Sequence, residues 1–478
     1  MGSRARVVNV THVHPATNAS DPSPLYHGEY KLSFMDLFHI ARLPMQRLFF
    51  FDGPNLPPSP SMVSTLQSSL AHTLSVFLPL AGKLAFRASS GDVVIDCSPA
   101  GVASGVKFVE AEFSGSAADM RRLATDEEHD AEAFAQLVPE LEAAQLPCSV
   151  LAVQVTRPSG GGAGAVAVGV AILHAVADGH AVWQFMKAWA TAAREGSLAA
   201  AGLPPPTFDR SGVRHPKGDE LIGMFVRLFA PAMPMLRSPS PASTLDTTQQ
   251  SSRTFVLRAN EIQTLKQQIL QQMRALTGSK PSKPPSTYVA ISCLIWTSLV
   301  RAKPVTQDEA DEDIDTYFLV SADCQRRLRP PLGDGFFGNC VKACFARARD
   351  GDLRDEAGGL AHAASAIQEA ISEYLDELGD DPLSDIERCM AVHRGIPRGR
   401  LARVGSSNRF MAYETDFGWG APTRVELVSR VETDLVTLLG AREKGAVQVS
   451  VVLDRAAMEA FAACLVVPTS TSLEAGGE

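Results

Sequence analysis

The sequence predicts an α/β fold in two domains, and three observations carry that reading. The chain has 478 residues, more than one ordinary domain of roughly 100–200 residues. Apolar residues recur at helical spacing in some stretches and form short β-branched runs in others, and the two patterns alternate in both halves. A stretch rich in Pro, Ser, Ala and Gly, residues 197–252, divides the chain and reads as a long crossover. The expected organisation is an N-terminal domain over 1–196, a linker over 197–252 and a C-terminal domain over 253–478.

Composition bounds the function. Hydrophobic residues make up 45% and charged residues 20%, which excludes a disordered or collagen-like chain. The net charge of -9 argues against a nucleic-acid partner, which favours a basic surplus. No apolar run reaches the roughly 18 residues of a membrane helix, and the opening MGSRARVVNVTHVHP has no signal-peptide core. Of the eight cysteines only Cys340 and Cys344 are close, so no zinc-type pair of pairs exists. They read as buried thiols of a reducing compartment, and a cytoplasmic monomer without a membrane partner is expected.

In chain order, residues 30–52 suggest a short helix and then a buried strand ending near Phe51. A helix from Ser61 carries Met62, Leu66, Leu70 and Leu74 along one face. Asp92–Asp96 reads as a strand. VLAVQVTRP and AVAVGVAIL, after Ser149 and Gly164, form a hairpin around a Gly-rich loop. That loop formally matches a dinucleotide fingerprint, but a β-branched run follows the glycines where a helix is needed, so it is read as a loop. Asp178 or Gly179 opens a helix with Ala181, Phe185, Ala188 and Trp189 on one face. Beyond 252, a strand over Arg253–Leu257 precedes a helix with Asn260 as N-cap, Gln263 closing a capping box and Gly278 ending it. Ser286 or Thr287 caps the next helix. Strands are expected over 317–323, 336–345, 410–413 and 447–453, with helices over 359–375 and 455–465.

Two segments carry candidate chemistry. In Leu173-His174-Ala175-Val176-Ala177-Asp178-Gly179, His174 stands where a strand gives way to a helix. A neutral imidazole there can take a proton from a hydroxyl at pH 7; the plain alternative is a turn histidine with Asp178 as the helix cap. In Asp416-Phe417-Gly418-Trp419-Gly420, two glycines bracket a Trp, which suits a tight turn presenting a large side chain; the plain alternative is a buried aromatic turn. A metal centre on His174, Asp178 and His180 is disfavoured because offsets of four and six on a helix start do not face one point. A serine hydrolase would need G-x-S-x-G, which is absent.

Together, HAVADG and DFGWG resemble the plant BAHD acyltransferases, which use acyl-CoA donors. LPMQRLFFF (Leu43–Phe51), FLPLAGKL (Phe77–Leu84) and Phe336-Phe337-Gly338-Asn339-Cys340 are similar to the branch that acylates anthocyanins and other flavonoid or phenolic glycosides. The resemblance implies a chloramphenicol-acetyltransferase-like fold of two similar-sized domains, each a mixed sheet with helices, and an active-site channel at their interface. It implies His174 as general base, no acyl-enzyme and no permanently bound cofactor, with acyl-CoA as co-substrate. It also implies a structural role for Asp178 paired with an arginine, for which Arg326 and Arg327 are candidates, although many relatives carry Arg where Gln325 stands here. Asp416, Gly418 and Gly420 hold the second loop. Trp419 is a candidate to shape or donate to the oxyanion site, where one donor is worth about 2.7–4 kcal/mol.

CoA carries phosphates, so Lys280, Lys283, Ser286 and Thr287 at a helix N-terminus are the expected CoA contacts. Malonyl-using members of the branch often carry Arg four residues after the motif Asp; here Val182 stands there, beside Trp183. An apolar acyl pocket at Val182 and Trp183 favours a hydroxycinnamoyl donor over malonyl-CoA, unless Arg47 or His180 supplies the cation. A phenolic glycoside is the expected small-molecule acceptor. A catalytically silent binding relative is the non-enzyme alternative.

Overall fold

The structure is a computed structural model that describes residues 4–17, 28–159, 164–236, 249–278, 284–304, 314–379, 381–397, 399–428 and 435–466. Its strands are β1 (Ala5–Val13), β2 (Glu29–Lys31), β3 (Met45–Asp52), β4 (Lys83–Arg87), β5 (Asp92–Asp96), β6 (Val106–Phe113), β7 (Cys148–Ser149), β8 (Leu151–Pro158), β9 (Ala165–Ile172), β10 (Gln250–Leu257), β11 (Asp315–Asp323), β12 (Val341–Arg349), β13 (Leu401–Val404), β14 (Arg424–Val428), β15 (Leu435–Gly440) and β16 (Val447–Asp454). The chain divides into two compact units. The first comprises Met1–Ser243, Pro330–Val341 and Ala412–Arg430; the second comprises Thr244–Arg329, Lys342–Met411 and Val431–Glu478.

The first unit holds a six-stranded sheet in the order β1-β6-β8-β9-β3-β14 and a four-stranded sheet β2-β5-β4-β7. In the larger sheet β6 and β8 run parallel and the other neighbours antiparallel. Every residue of β9 is buried, which is why AVAVGVAI carries no polar alternation. Gly169 on that strand is obligatory: a Cβ there would lie 2.4 Å from the Leu137 carbonyl oxygen. In β3, Leu48 and Phe50 face a cluster with Phe113, Met120 and Phe134. Arg47, Phe49 and Phe51 project from the other face, where Phe49 meets Trp183 and Phe51 meets Trp419 edge-on. The helices Ser59–Val76 and Gly179–Glu195 pack together. The buried Trp189 indole locks them by donating to the Leu66 carbonyl at 3.2 Å and the Ser69 hydroxyl at 3.1 Å.

The second unit is built on the sheet β10-β16-β15-β13-β11-β12, with parallel pairing at β11–β13 and β13–β15. Its central helix, Thr287–Ala302, is buried at nearly every position, matching its all-round apolar sequence. Both units therefore pair a mixed sheet with helices, as the α/β class requires.

Several sequence expectations change. The 197–252 stretch is not a bare linker. Residues up to Ser243 belong to the first unit, and the helix Gly218–Phe229 buries Leu221 and Phe225, with Phe225 and Phe229 edge-on to Phe38. The segments 330–341 and 412–430, expected in the C-terminal domain, also complete the first unit. Residues 336–340 are a loop, because β12 starts at Val341, and 410–413 contains a short 3-10 turn, Ala412–Glu414, where a strand was expected. The helix Ala259–Thr277 is capped at Arg258, because the Glu261 carboxylate accepts from the Arg258 backbone N–H at 2.6 Å. No helix among the described residues is long and apolar enough to cross a membrane. Seven of the eight cysteines are buried and all eight are free thiols.

Candidate active site

His174 stands two residues beyond the end of β9, in the turn leading to the helix Gly179–Glu195. The switch from β-branched strand to helix needs a cap, and Asp178 supplies it. Its Oδ1 accepts from the Ala181 N–H at 3.0 Å and its Oδ2 from the Cys340 N–H at 3.3 Å. Asp178 is 2% exposed; its carboxylate faces backbone donors, a structural role. Such a cap is worth about 0.5–2 kcal/mol.

The His174 residue is half-buried, with Nδ1 on the buried side. The ring of His39 stacks on it, centroids 3.8 Å apart and planes 2° apart. Burial pushes the His174 imidazole down to about 3, helped by the positive charges of Arg42 and Arg47; its own carbonyl and the Asn339 side chain act in the opposite direction. His39 is held well below its usual value by burial, by His174 and by Arg42. Both rings are therefore neutral at pH 7.

Asn339 ties the turn to the protein interior. Its Nδ2 donates to the His174 carbonyl at 2.9 Å and to Asp36 Oδ1 at 2.9 Å, and its backbone N–H donates to Asp36 Oδ1 at 3.0 Å. Those two side-chain bonds fix the amide orientation, since the flipped rotamer would present an acceptor to two acceptors. Asp36 Oδ2 accepts from Ser33 Oγ at 2.7 Å and from Arg210 Nε at 3.1 Å. Arg210 Nη2 in turn donates to the Val176 carbonyl at 3.1 Å. Asp36 and Arg210 have side chains 0% and 3% exposed. This buried pair, with every carboxylate oxygen bonded, grips the His174 turn from behind.

The DFGWG segment is a self-bonded turn. Asp416 Oδ1 accepts the backbone N–H groups of Gly418, Trp419 and Gly420 at 2.8, 3.0 and 2.9 Å, and Arg194 lies 3.7 Å from Oδ2. Gly418 and Gly420 have φ of 97° and 93°, a region costly for any residue with a Cβ. Trp419 packs on Phe51 at 5.2 Å. Phe51 pairs with Val166, whereas Ile172, just before His174, pairs with Met45. Six residues of strand, about 20 Å, separate these two ends. The Trp419 backbone N–H is already taken by Asp416, which leaves only its side chain for the expected oxyanion or site-shaping role.

Val182, expected in an acyl pocket, is fully buried in the core at 0% exposure and offers no surface to a ligand. Trp183 beside it is half-buried. Arg327 is in the second unit and pairs with Asp376 at 3.0 Å; Arg326 is exposed, and Gln325 is 4% exposed. Lys280 and Lys283 lie outside the described residues. Ser286 caps the helix Thr287–Ala302 by accepting from the Val289 N–H, and Thr287 Oγ1 accepts from Lys266 Nζ at 3.0 Å.

Sequence reasoning missed His39, Asp36, Arg210 and the grip of Asn339 on the turn. The FFGNC segment was visible as a motif, but no local pattern shows that its Asn bonds a carboxylate 303 positions away.

The chain is similar to known proteins along most of its length. The chain is 27% identical over 482 residues to the malonyl-coenzyme:anthocyanin 5-O-glucoside-6'''-O-malonyltransferase of Salvia splendens, with 96% of this chain and 95% of the relative covered. It is 30% identical to the hydroxycinnamoyltransferase of Narcissus pseudonarcissus, covering 80% and 82%. The crystal structure of vinorine synthase shares the fold, with a TM-score of 0.69, 20% identity and coverage of 95% and 96%. Residues 11–464 match the model of the Transferase family, and the chain belongs to that family, the BAHD acyltransferases.

Proposed function

We propose that the protein transfers an acyl group from a coenzyme A thioester to a hydroxyl of a phenolic or anthocyanin glycoside, with His174 as general base. The observation that carries this reading is the imidazole itself: neutral, half-buried and fixed behind by Asn339. With the proton on the buried Nδ1, which has no hydrogen-bond partner in the protein, the Nε2 lone pair is left for the acceptor. Nε2 takes the hydroxyl proton as the oxygen attacks the thioester carbonyl. The tetrahedral intermediate expels CoA thiolate, and the imidazolium returns the proton to sulfur. No covalent enzyme intermediate is needed.

Desolvation makes His174 a weak base in the free protein, so its proton affinity must rise as negative charge develops on the attacking oxygen. Stabilisation of the imidazolium by that charge is what couples proton transfer to attack. The helix start at Ser286 and Thr287, with Lys266 bonded to Thr287, is a ready anion site for CoA phosphates. The acceptor class rests on relatives whose names give anthocyanin glucosides or phenolic glucosides as their acceptors. A hydroxycinnamoyl donor was expected because Val182 is apolar; with Val182 sealed in the core, that residue gives no ground for choosing the donor.

Incubating the protein with a panel of acyl-CoA thioesters and phenolic glucosides, with products read by mass spectrometry, tests the reading. Acylated glucoside is expected with wild type, reduced at least a hundredfold in His174→Ala. Equal rates in the two proteins, or no product from any pair, would defeat it and favour a silent binding protein.

A further inference from the structure

Among the described residues, Arg47 is a deeply buried cation for which no ion pair with a carboxylate is formed. Arg47, on β3, is 9% exposed. Its Nη1 donates to the Gln46 carbonyl at 3.1 Å and its Nη2 reaches the Met45 sulfur at 3.7 Å. Its Nε is buried with no hydrogen-bond partner, and among the described residues no carboxylate lies within ion-pair reach. The contrast with Arg210 and Arg424, the other deeply buried arginines, is direct: each bonds a carboxylate in the interior. A guanidinium that is stripped of water and left with two weak acceptors is costly to keep. An anion supplied from outside removes that cost.

Position says which anion. Arg47 alternates with Leu48 and so faces the side of the sheet that carries Phe49 and Trp183. Its register partner is Val170, on the strand that ends just before His174. Its charge is felt by the His174 imidazole. A thioester carbonyl seated at His174 therefore projects its acyl chain within range of Arg47. The apolar wall of Phe49 and the half-buried Trp183 suits methylene groups, and the guanidinium suits a terminal carboxylate.

We propose that Arg47 binds the free carboxylate of a dicarboxylic acyl donor of the malonyl type, and so sets the acyl specificity of this site. The inference rests on the acyl-transfer reading above and adds the donor class to it. It assigns to β3 the cation that the position of Val182 lacks.

Equilibrium binding of malonyl-CoA and acetyl-CoA to the full-length wild type, Arg47→Met and Arg47→Lys tests it without needing the acceptor. Both thioesters carry the CoA phosphates; only one carries a carboxylate. Wild type is expected to prefer malonyl-CoA by roughly ten- to a hundredfold, the worth of a charge-assisted hydrogen bond. Arg47→Met should abolish the preference with acetyl-CoA affinity unchanged, and Arg47→Lys should keep part of it. Equal weakening of both thioesters would make Arg47 a phosphate contact or a structural residue and overturn the proposal. So would a wild type that binds both alike, a result that stands even if Arg47→Met fails to fold. Binding of neither thioester would reject the acyl-transfer reading itself, whereas turnover of acetyl-CoA without malonyl preference would reject the Arg47 assignment alone.

Discussion

His39 lies flat against His174, with ring centroids 3.8 Å apart and planes within 2° of parallel. Two stacked imidazoles cannot both carry a proton cheaply, and the adjacent charges of Arg42 and Arg47 make even one proton unfavourable.

The pH dependence follows with a definite sign. Both rings are neutral in the folded chain, while in the unfolded chain they take up protons near 6.5. The unfolded state thus binds more protons below that value, and stability falls as pH drops from about 6.5 toward the folded value of about 3 for His174. Thermal melts are expected to shift downward between pH 7 and 5, and less so in His39→Phe. The kcat/KM profile should stay flat through pH 6.5, with no acid limb at the ordinary histidine value. A limb at 6.5 would show that the ring is not desolvated.

Asn339→Ala should lower kcat by about 10²-fold with little change in KM. The side chain touches the His174 carbonyl rather than a substrate, and a 1 Å misplacement of a catalytic group has that scale of effect. Steady-state kinetics on a variant whose melting curve stays cooperative decides it; an equal loss in KM would point to substrate contact.

Asp36→Ala removes the acceptor of Ser33, Arg210 and Asn339 together. Breaking a buried pair from one side costs about 3–5 kcal/mol, so the urea midpoint should fall sharply. Arg210→Met together with Asp36→Leu should recover part of the stability and none of the activity, because Asn339 would still lack its anchor.

The second motif should respond as a structural turn. Asp416→Ala frees three backbone N–H groups; those of the exposed Gly418 and Gly420 turn to water, so a modest drop in melting temperature is expected, comparable to one lost hydrogen bond, about 1 kcal/mol. Trp419→Phe should keep kcat within about threefold of wild type. A loss near the 10²–10³-fold scale of an oxyanion donor would point to a catalytic role.

Local chemistry in the sequence reveals local structure. The helix Ser59–Val76 follows from its apolar step, β9 from its unbroken β-branched run, and the Asp178 cap from the HAVADG segment. What stayed hidden depends on distant partners. The Pro- and Ser-rich stretch looked like a linker because its composition resembles one, yet Arg210 within it is buried against Asp36. The DFGWG motif was visible as a turn, yet nothing local shows that its Trp419 ring packs edge-on against Phe51 of a distant strand. His174 could be chosen from sequence; the residues that hold it could not, since carboxylate, amide and base are joined only by the fold.

The pairing of β14 with β3 has a consequence for biosynthesis. Arg424 pairs with Phe50 and Val428 with Gln46, so the edge of MQRLFFFD waits for a strand that is made 373 positions later, as the Thr423–Phe50 bond records. At about 5–20 residues per second, the ribosome needs roughly 20–75 s to deliver it. Throughout that interval a nascent, phenylalanine-rich strand presents bare backbone to its neighbours. Slower translation is expected to lengthen that exposure and so to raise the share of chains lost to aggregation.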